Sequence, residues 1–441
     1  MNIEEFKALL RDYGIVGAGG AGFPTYAKLD KRADTLILNC AECEPLLRLH
    51  RQVLKMYTHE ILSTLDLLAK AVEAKTVYIG VKGSYKRTVE AVTAELDSFE
   101  NMKLCKLPEV YPAGDEVVLT YQATGRVVPA GAIPLSVGVT VLNVETVYNI
   151  YRAMQGLPVT HKYVTVTGEV ASPVTVYAPL GMTVAQLLEQ AGGVTIDDPA
   201  YVLGGPMMGR IGSTAEVVTK TTNAVLVLPK NLPLVQKKLS KTTVDMKRAM
   251  AACCQCSYCT SLCPRHLLGH PIDPSAFMYA ASNGITNDAT PYVNAMFCSS
   301  CGLCELYSCG QGLSPRSLLT DCKNGLRQHG LKPPANPPMR GVDGARDYRM
   351  IPLSRLRSRL GLDVYNKSAP VSDTIPEPQR LRVLLSQHIG APAVPAVAKG
   401  DRVEAGQLIA HAAENALSVA IHAPMSGTVS DVTDRVITIT K

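Results

Sequence analysis

Cys253, Cys256, Cys259 and Cys263 follow one another with two, two and three residues between them, and Pro264 comes next. A second run, Cys298, Cys301 and Cys304, repeats the two-residue steps. Cys309 then follows after four residues, with Gly310 where the first run has its proline. Three thiolates stepped in this way can wrap one face of an iron–sulfur cubane, and the fourth ligand must come from farther away. In two-cluster arrangements the fourth cysteine of each run ligates the other cluster. The expected quartets are therefore Cys253, Cys256, Cys259 and Cys309 for one [4Fe–4S] cluster, and Cys298, Cys301, Cys304 and Cys263 for the other. Zinc sites arrange paired C-x2-C steps rather than three cysteines in one run, so the spacing favours iron–sulfur.

Five cysteines remain. Cys40 and Cys43 form a C-x-x-C step with no partner pair, which reads as small buried hydrophobes, and Cys105, Cys254 and Cys322 are isolated. A second candidate for chemistry is the glycine loop. Gly17, Gly19 and Gly22 fit G-x-G-x-x-G, but an amphipathic helix precedes them where a dinucleotide fingerprint requires a strand. Successive glycines let backbone N–H groups approach a phosphate, and Lys28 lies within reach. The residues alone fit a phosphate-bearing cofactor and a plain tight turn equally well.

These residues need a frame. The chain has 441 residues, 46% hydrophobic and 19% charged, with a formal net charge of +6 and no Trp. That composition suits several globular domains and shows no basic stripe of the kind nucleic acid requires. No apolar run is long enough to span a membrane, and the start lacks a secretory pattern, so a cytoplasmic protein with reduced thiols is expected. Residues 1–158 alternate helix and strand as an α/β layer, with one helix over 55–74. Residues 159–215 read as a small α+β unit, with Thr183 capping a helix that carries Leu187 and Leu188. Residues 245–330 hold the cysteines on helical segments. Residues 331–379, rich in Pro and Gly, read as a linker. Within it, a helix over 353–361 carries Arg355, Arg357 and Arg359 as a solvated basic face. Residues 380–441 read as all-β.

At this point the sequence resembles a family. The run from Gly17 to Thr25 with Lys28, and the run from Asn39 to Pro45, look like the FMN- and NADH-binding subunit of respiratory complex I. They also resemble the C subunit of the Rnf electron-transport complex. Tyr111 to Glu116 and Leu142 to Thr146 match later motifs in order, so the likeness covers about 150 residues. Residues 161–210 resemble the soluble-ligand-binding β-grasp (SLBB) domain that follows the flavin domain in those relatives. The resemblance implies that Gly17, Gly19, Gly20, Asn143 and Thr146 cradle the FMN phosphate, and that Asn39 and Glu42 lie at the flavin ring. It places Phe23, Lys28, Glu44 and Glu116 at the nicotinamide nucleotide, with Glu42 and Glu116 as the catalytic carboxylates. Ala18 stands where complex I has an arginine, and Ala41 where it has an aspartate.

The stretches Gly400 to Ile409 and Ala423 to Val429 resemble a lipoyl or biotinyl barrel-sandwich domain. Its hairpin tip falls near Asn415 and Ala416. The lysines from Leu381 onward, Lys399 and Lys441, lie elsewhere, so a structural or docking module is expected rather than a swinging arm. In the Rnf protein this unit precedes the flavin domain. Here it comes last, an order similar to the cobalamin reductases of bacterial propanediol-utilisation microcompartments. That resemblance implies NADH as donor, FMN and two [4Fe–4S] clusters as carriers, and cobalamin as acceptor. The implied partners are an adenosyltransferase and microcompartment shell proteins. An Rnf-like subunit with another acceptor, and a non-enzymatic electron-carrying scaffold, are the rival readings. His266, His270, His388, His411 and His422 have the chemistry of cobalt ligands but read as ordinary surface or packed histidines.

Overall fold

The computed structural model describes residues 1–441. Short Val- and Leu-rich runs form β1 (Thr35–Cys40), β2 (Thr76–Lys82), β3 (Met102–Leu107), β4 (Val110–Tyr111) and β5 (Val139–Asn143). Four of them make a parallel sheet in the order β3-β2-β1-β5. Leu36, Ile37 and Leu38 in β1 are all buried, as expected of a strand covered on both faces. The covering helices are α1 (Ile3–Asp12), α2 (Leu49–Met56), α3 (Thr58–Val72), α4 (Lys86–Leu96), α5 (Glu116–Thr124) and α6 (Val144–Met154). A reciprocal cap between Asn2 and Glu5 opens α1. The single helix expected over 55–74 is instead two helices. The chain leaves helical geometry at Tyr57 (φ −128°), and Thr58 Oγ1 turns back to the Leu54 carbonyl.

The second unit contains β6 (His161–Gly168), β7 (Val174–Pro179), α7 (Val184–Gln190), β8 (Pro199–Leu203), β9 (Arg210–Gly212) and β10 (Ala224–Pro229). Thr183 caps α7 through a box with Gln186. The sheet runs β7-β6-β10-β8-β9, so β10 is its central strand, parallel to β6 and antiparallel to β8. The unit therefore extends past the boundary expected at 215. Its first strand cannot be paired on both sides without a segment that the local pattern left outside. One apolar cluster of 45 residues joins Phe6, Leu36 and Val144 to Val164, Leu187 and Val227, so the first two units share a core.

The cysteine region is carried by α8 (Pro233–Leu239), α9 (Thr242–Ala252), α10 (Tyr258–Ser261), α11 (Pro264–Leu267), α12 (Pro274–Ser282), α13 (Thr290–Asn294) and α14 (Pro315–Gln328). Phe277, Phe297, Leu318 and Leu319 pack between them. The stretch expected as a linker is a strap over its second half. β11 (Ile351–Pro352) pairs with β4, and α15 (Leu353–Arg359) is followed by a bridge from Val371 to Thr175. Leu356 and Leu360 are buried with Leu226 and Leu306, contacts that the Pro- and Gly-rich composition of 331–350 concealed.

The last unit pairs two sheets. One is β12 (Arg380–Leu384), β18 (Val436–Thr440), β17 (Gly427–Val432) and β14 (Arg402–Val403). The other is β13 (Val394–Pro395), β15 (Leu408–His411) and β16 (Ile421–His422). Val383, Ile409, Ile421, Val429 and Ile437 fill the space between them. The hairpin turns at Asn415 (φ 53°) and is held down. Arg11 Nη2 donates to the Ala413 carbonyl at 3.0 Å, and the Ser418 amide donates to the Tyr26 hydroxyl at 3.3 Å. A tip held at both points, with no lysine on it, does not swing.

Candidate active site

The order of the parallel sheet reverses at β1, which has β2 on one side and β5 on the other. Ligands of open α/β sheets bind at such switch points, outside the carboxyl ends of the strands. A cleft of about 360 Å³ lies there, and all eleven residues expected at FMN or nicotinamide line it: Gly17, Gly19, Gly20, Phe23, Lys28, Asn39, Glu42, Glu44, Glu116, Asn143 and Thr146.

The glycine loop forms one wall. A bridge between Val16 and Pro24 closes it, and the Gly17 amide donates to the Phe23 carbonyl at 2.9 Å. The Thr146 hydroxyl accepts from the Ala18 amide at 2.9 Å. Gly17 and Thr146 thus shape the loop rather than present free donors to a phosphate. The amides of Gly19 and Gly20 have no protein acceptor and are the donors left for an anion. Gly20 sits at φ 68° with nothing within 4 Å of where a Cβ would be, so the loop opens on the cleft. Asn143 caps α6, its Oδ1 accepting from the Glu145 amide at 2.9 Å. Its Nδ2 lies 3.2 Å from His50 Nε2.

The opposite wall carries the carboxylates. Glu42 occupies a left-handed conformation (φ 35°), the kind of backbone strain that concentrates at functional sites. Its Oε1 accepts from the His50 amide at 2.9 Å, while its Oε2 is buried with no partner. Burial raises the Glu42 carboxyl above the usual range, against that hydrogen bond and the nearby Arg51 and Lys82. Asn39 spans the strand end, donating to the Gly114 carbonyl at 3.0 Å and accepting from the Ala41 amide at 3.1 Å. Lys28 and Glu116 pair with each other at 2.6 Å across the mouth.

Glu44 departs from its expected role. Its two oxygens accept from the Met207 and Met208 amides, each at 2.8 Å, and it tethers the β-grasp turn to the flavin domain instead of standing free for ribose hydroxyls. Gly205 makes this approach possible, since a Cβ there would lie 2.3 Å from the Glu44 carboxyl. Among the lining residues that the sequence reading did not place there are His50 and Asn223. Burial lowers the His50 ring to about 3, so it is neutral. Asn223, just before β10, places its Nδ2 3.6 Å from the Cβ position of Gly19 and leaves its Oδ1 buried and unpartnered. No motif marked either residue. Two orphaned acceptors, free glycine amides and a helix N-terminus fit a group with hydroxyls, a ring N–H and a phosphate, as FMN has.

The cysteines gather into the two expected quartets. Cys253, Cys256, Cys259 and Cys309 line one cavity of about 390 Å³. Cys298, Cys301 and Cys263 lie near enough to Cys304 to help burial raise its thiol. Both runs use the same backbone device. Gln255 and Ser257 flank Cys256 at φ 54° and 63°, and Ser300 and Gly302 flank Cys301 at φ 57° and 84°. Left-handed residues on either side of a cysteine curl the loop so that its amides face inward, a nest for an anionic cluster. The four-residue step from Cys304 to Cys309 is absorbed by a π turn over Cys304–Ser308, where the first run needs only the short α10. One added residue in a helical turn produces this geometry. No three His, Cys, Asp or Glu side chains are placed to hold a single metal ion. Burial pushes the Cys259 and Cys301 thiols up to about 12.

The second quartet abuts the cleft. The Tyr111 hydroxyl donates to the Cys301 carbonyl at 2.5 Å, and Arg265, two residues after Cys263, grips Asp115 with two bonds of 2.8 Å. Asp115 in turn caps α5, one residue before Glu116. The first quartet is the more exposed, with Cys256 on the surface where the second has Cys304 buried. Cys40 and Cys43 are not redox-poised, because burial pushes Cys43 to about 11 and raises Cys40 as well. Among the histidines, His266 and His270 bond the Ile272 and Val128 carbonyls, and His422 stacks on Tyr13.

Comparison with known proteins agrees with this layout. Residues 10–152 match the Nuo51 FMN-binding domain, and residues 163–211 the SLBB domain. Residues 252–314 match the 4Fe–4S dicluster domain, and residues 365–441 the RnfC barrel sandwich hybrid domain. The C subunit of the Na(+)-translocating ferredoxin:NAD(+) oxidoreductase complex of Acetobacterium woodii is 32% identical over 60% of this chain and 59% of its own length. Cobalamin reductase PduS of Citrobacter freundii is 40% identical over 99% of this chain and 96% of that protein. PduS of Salmonella typhimurium is 40% identical over 100% and 97%. No helix here is long and apolar enough to cross a membrane. With a flavin-type cleft and two cysteine quartets in one body, and this identity along its whole length, the chain belongs to the PduS family of cobalamin reductases.

Proposed function

We propose that this chain is an NADH-dependent flavin and iron–sulfur reductase that passes single electrons to cob(III)alamin and cob(II)alamin, for recycling of coenzyme B12 in propanediol degradation. The observation that carries the reading is the junction of the cleft with the second quartet through Tyr111, Asp115 and Arg265. A bound flavin takes two electrons as a hydride and releases them singly, which is what one-electron clusters require. The chain's own groups prepare that exchange. The free amides of Gly19 and Gly20 would hold the phosphate of a bound flavin, and the unpartnered Oε2 of Glu42 and Oδ1 of Asn223 would accept hydrogen bonds from it. The Lys28–Glu116 pair opens to the nicotinamide nucleotide, and Phe23 stacks against it. Cys263, Cys298, Cys301 and Cys304 would hold the inner cluster, and Cys253, Cys256, Cys259 and Cys309 the outer one. The corrinoid is reduced at the outer, open face, in a complex with an adenosyltransferase inside a microcompartment shell.

Anaerobic addition of NADH, followed in the visible spectrum with and without hydroxocobalamin, tests this. Flavin and cluster bleaching followed by the cob(II)alamin spectrum is the expected result. Bleaching without cobalamin reduction would move the acceptor elsewhere, and no bleaching would remove NADH as donor.

A further inference from the structure

The basic helix α15 is more than a solvated face. Arg355 and Arg359 lie one turn apart, exposed together with Ser354 and Ser358, while Leu356 and Leu360 face inward. Arg357 is neutralised by Asp363 at 2.5 Å, but Arg355 and Arg359 have no carboxylate partner. Like charges at this spacing weaken a helix slightly and contribute nothing to its packing. With Tyr307 the four exposed residues line a shallow depression of about 540 Å³. Tyr307 lies in the π turn between Cys304 and Cys309, and it also lines the cavity of the outer quartet. Lys237 and Arg248 donate to the Gly312 carbonyl on the far rim of that quartet, at 2.8 Å and 3.5 Å. The carboxylates nearby are occupied. Glu305 is buried and accepts from the Ser317 amide, and Asp245 is buried against Ser240.

We propose that this face, centred on Arg355, Arg359 and Tyr307, docks the acidic surface of a protein that accepts electrons one at a time. A shallow, open, doubly cationic patch suits a protein surface better than a small enclosed ligand, and charge of one sign steers a partner of the other. In the transfer, one electron leaves a reduced cluster, which is oxidised, and enters the docked acceptor, which is reduced. This rests on the reading that electrons leave through the quartets, so the test supplies them without NADH.

The full-length protein, its clusters reduced with stoichiometric dithionite, is mixed anaerobically with oxidised flavodoxin, an acidic acceptor, or with cytochrome c, a basic one. Flavodoxin reduction should fall steeply with salt. Arg355→Glu with Arg359→Glu should slow it at least about tenfold at low ionic strength while cytochrome c reduction does not slow. A matched reversal on the last unit, Arg380→Glu with Arg402→Glu, should leave both rates within about twofold. If the helix variant loses iron, Arg355→Gln with Arg359→Gln carries the same comparison. Equal slowing by the two reversals, or none by the first, would overturn the proposal. So would inhibition by inorganic phosphate at constant ionic strength with no effect of the arginine variants on flavodoxin, which would mark a small-anion site. Failure of NADH to bleach the flavin would count against the proposed function and leave this measurement intact.

Discussion

Glu145 and Lys162 form an ion pair at 2.5 Å with each side chain only 1% exposed. Glu145 lies in the first turn of α6, between Asn143 and Thr146 of the cleft, and Lys162 opens β6 of the next unit. The second Glu145 oxygen accepts from the Tyr163 amide at 3.1 Å, and Lys162 Nζ also donates to the Tyr163 carbonyl at 3.0 Å. Glu145→Gln keeps the shape and one acceptor but leaves the ammonium buried without its counter-charge. Breaking a buried pair on one side costs about 3–5 kcal/mol, and the lower end applies here because the carbonyl bond remains. About 3 kcal/mol corresponds to roughly a 150-fold rise in the opening equilibrium of this junction. Hydrogen exchange at the amides of β6 and α6 reads that local free energy directly. Flavin release should move to lower temperature with it, because α6 carries the cap that faces the cleft. Glu145→Met with Lys162→Met removes both charges and should recover at least half of the loss. Unchanged protection in the single variant, or a double variant worse than the single, would refute the claim that the pair ties the two units together.

Cys263→Ser and Cys309→Ser should each remove one cluster, lowering iron from about eight to about four per chain. Only the first should uncouple the remaining cluster from the reduced flavin, as followed by electron paramagnetic resonance. Asn223→Asp should weaken FMN binding more than Asn223→Ala, because it adds a negative charge beside the phosphate loop, and fluorescence titration of the apoprotein measures both. Burial lowers His422 from 6.5 to about 4 and Lys220 from 10.5 to about 7 where the last unit meets the flavin domain. Each group binds its proton more tightly when unfolded, so stability should rise with pH between about 4 and 6.5 and again between about 7 and 10.5. His422→Gln should make the lower rise shallower by one group's share, and Lys220→Met the upper one, in urea unfolding of the full chain; His50, His161 and His270 keep the rest of the lower rise, and Lys238 part of the upper. Gly205→Ala should displace Glu44 and loosen the β-grasp turn, increasing proteolysis near Met208.

What the sequence determined by itself was local chemistry. Cysteine spacing fixes which thiols can share a loop, and in each expected quartet three of the four cysteines lie within seven residues. The glycine loop and the Thr183 cap were legible for the same reason: Gly17 bonds Phe23 and Thr183 bonds Gln186, each a neighbour in the chain. The tertiary structure alone decided what depends on distant residues. Glu44 reads as a free carboxylate until the turn at Met207 arrives from 163 positions away. Asn223 and His50 belong to no motif and enter the cleft only because β10 and α2 are packed there. β10 looks like an isolated apolar run, yet it becomes the central strand because β6 and β8 each leave an edge that only it can satisfy. The strap at 351–371 conceals its role in the same way, since its few buried leucines find their partners only once Leu226 and Leu306 have been brought to one place. Local periodicity encodes which face of an element is apolar; which other face will cover it is settled by the packing of the whole chain.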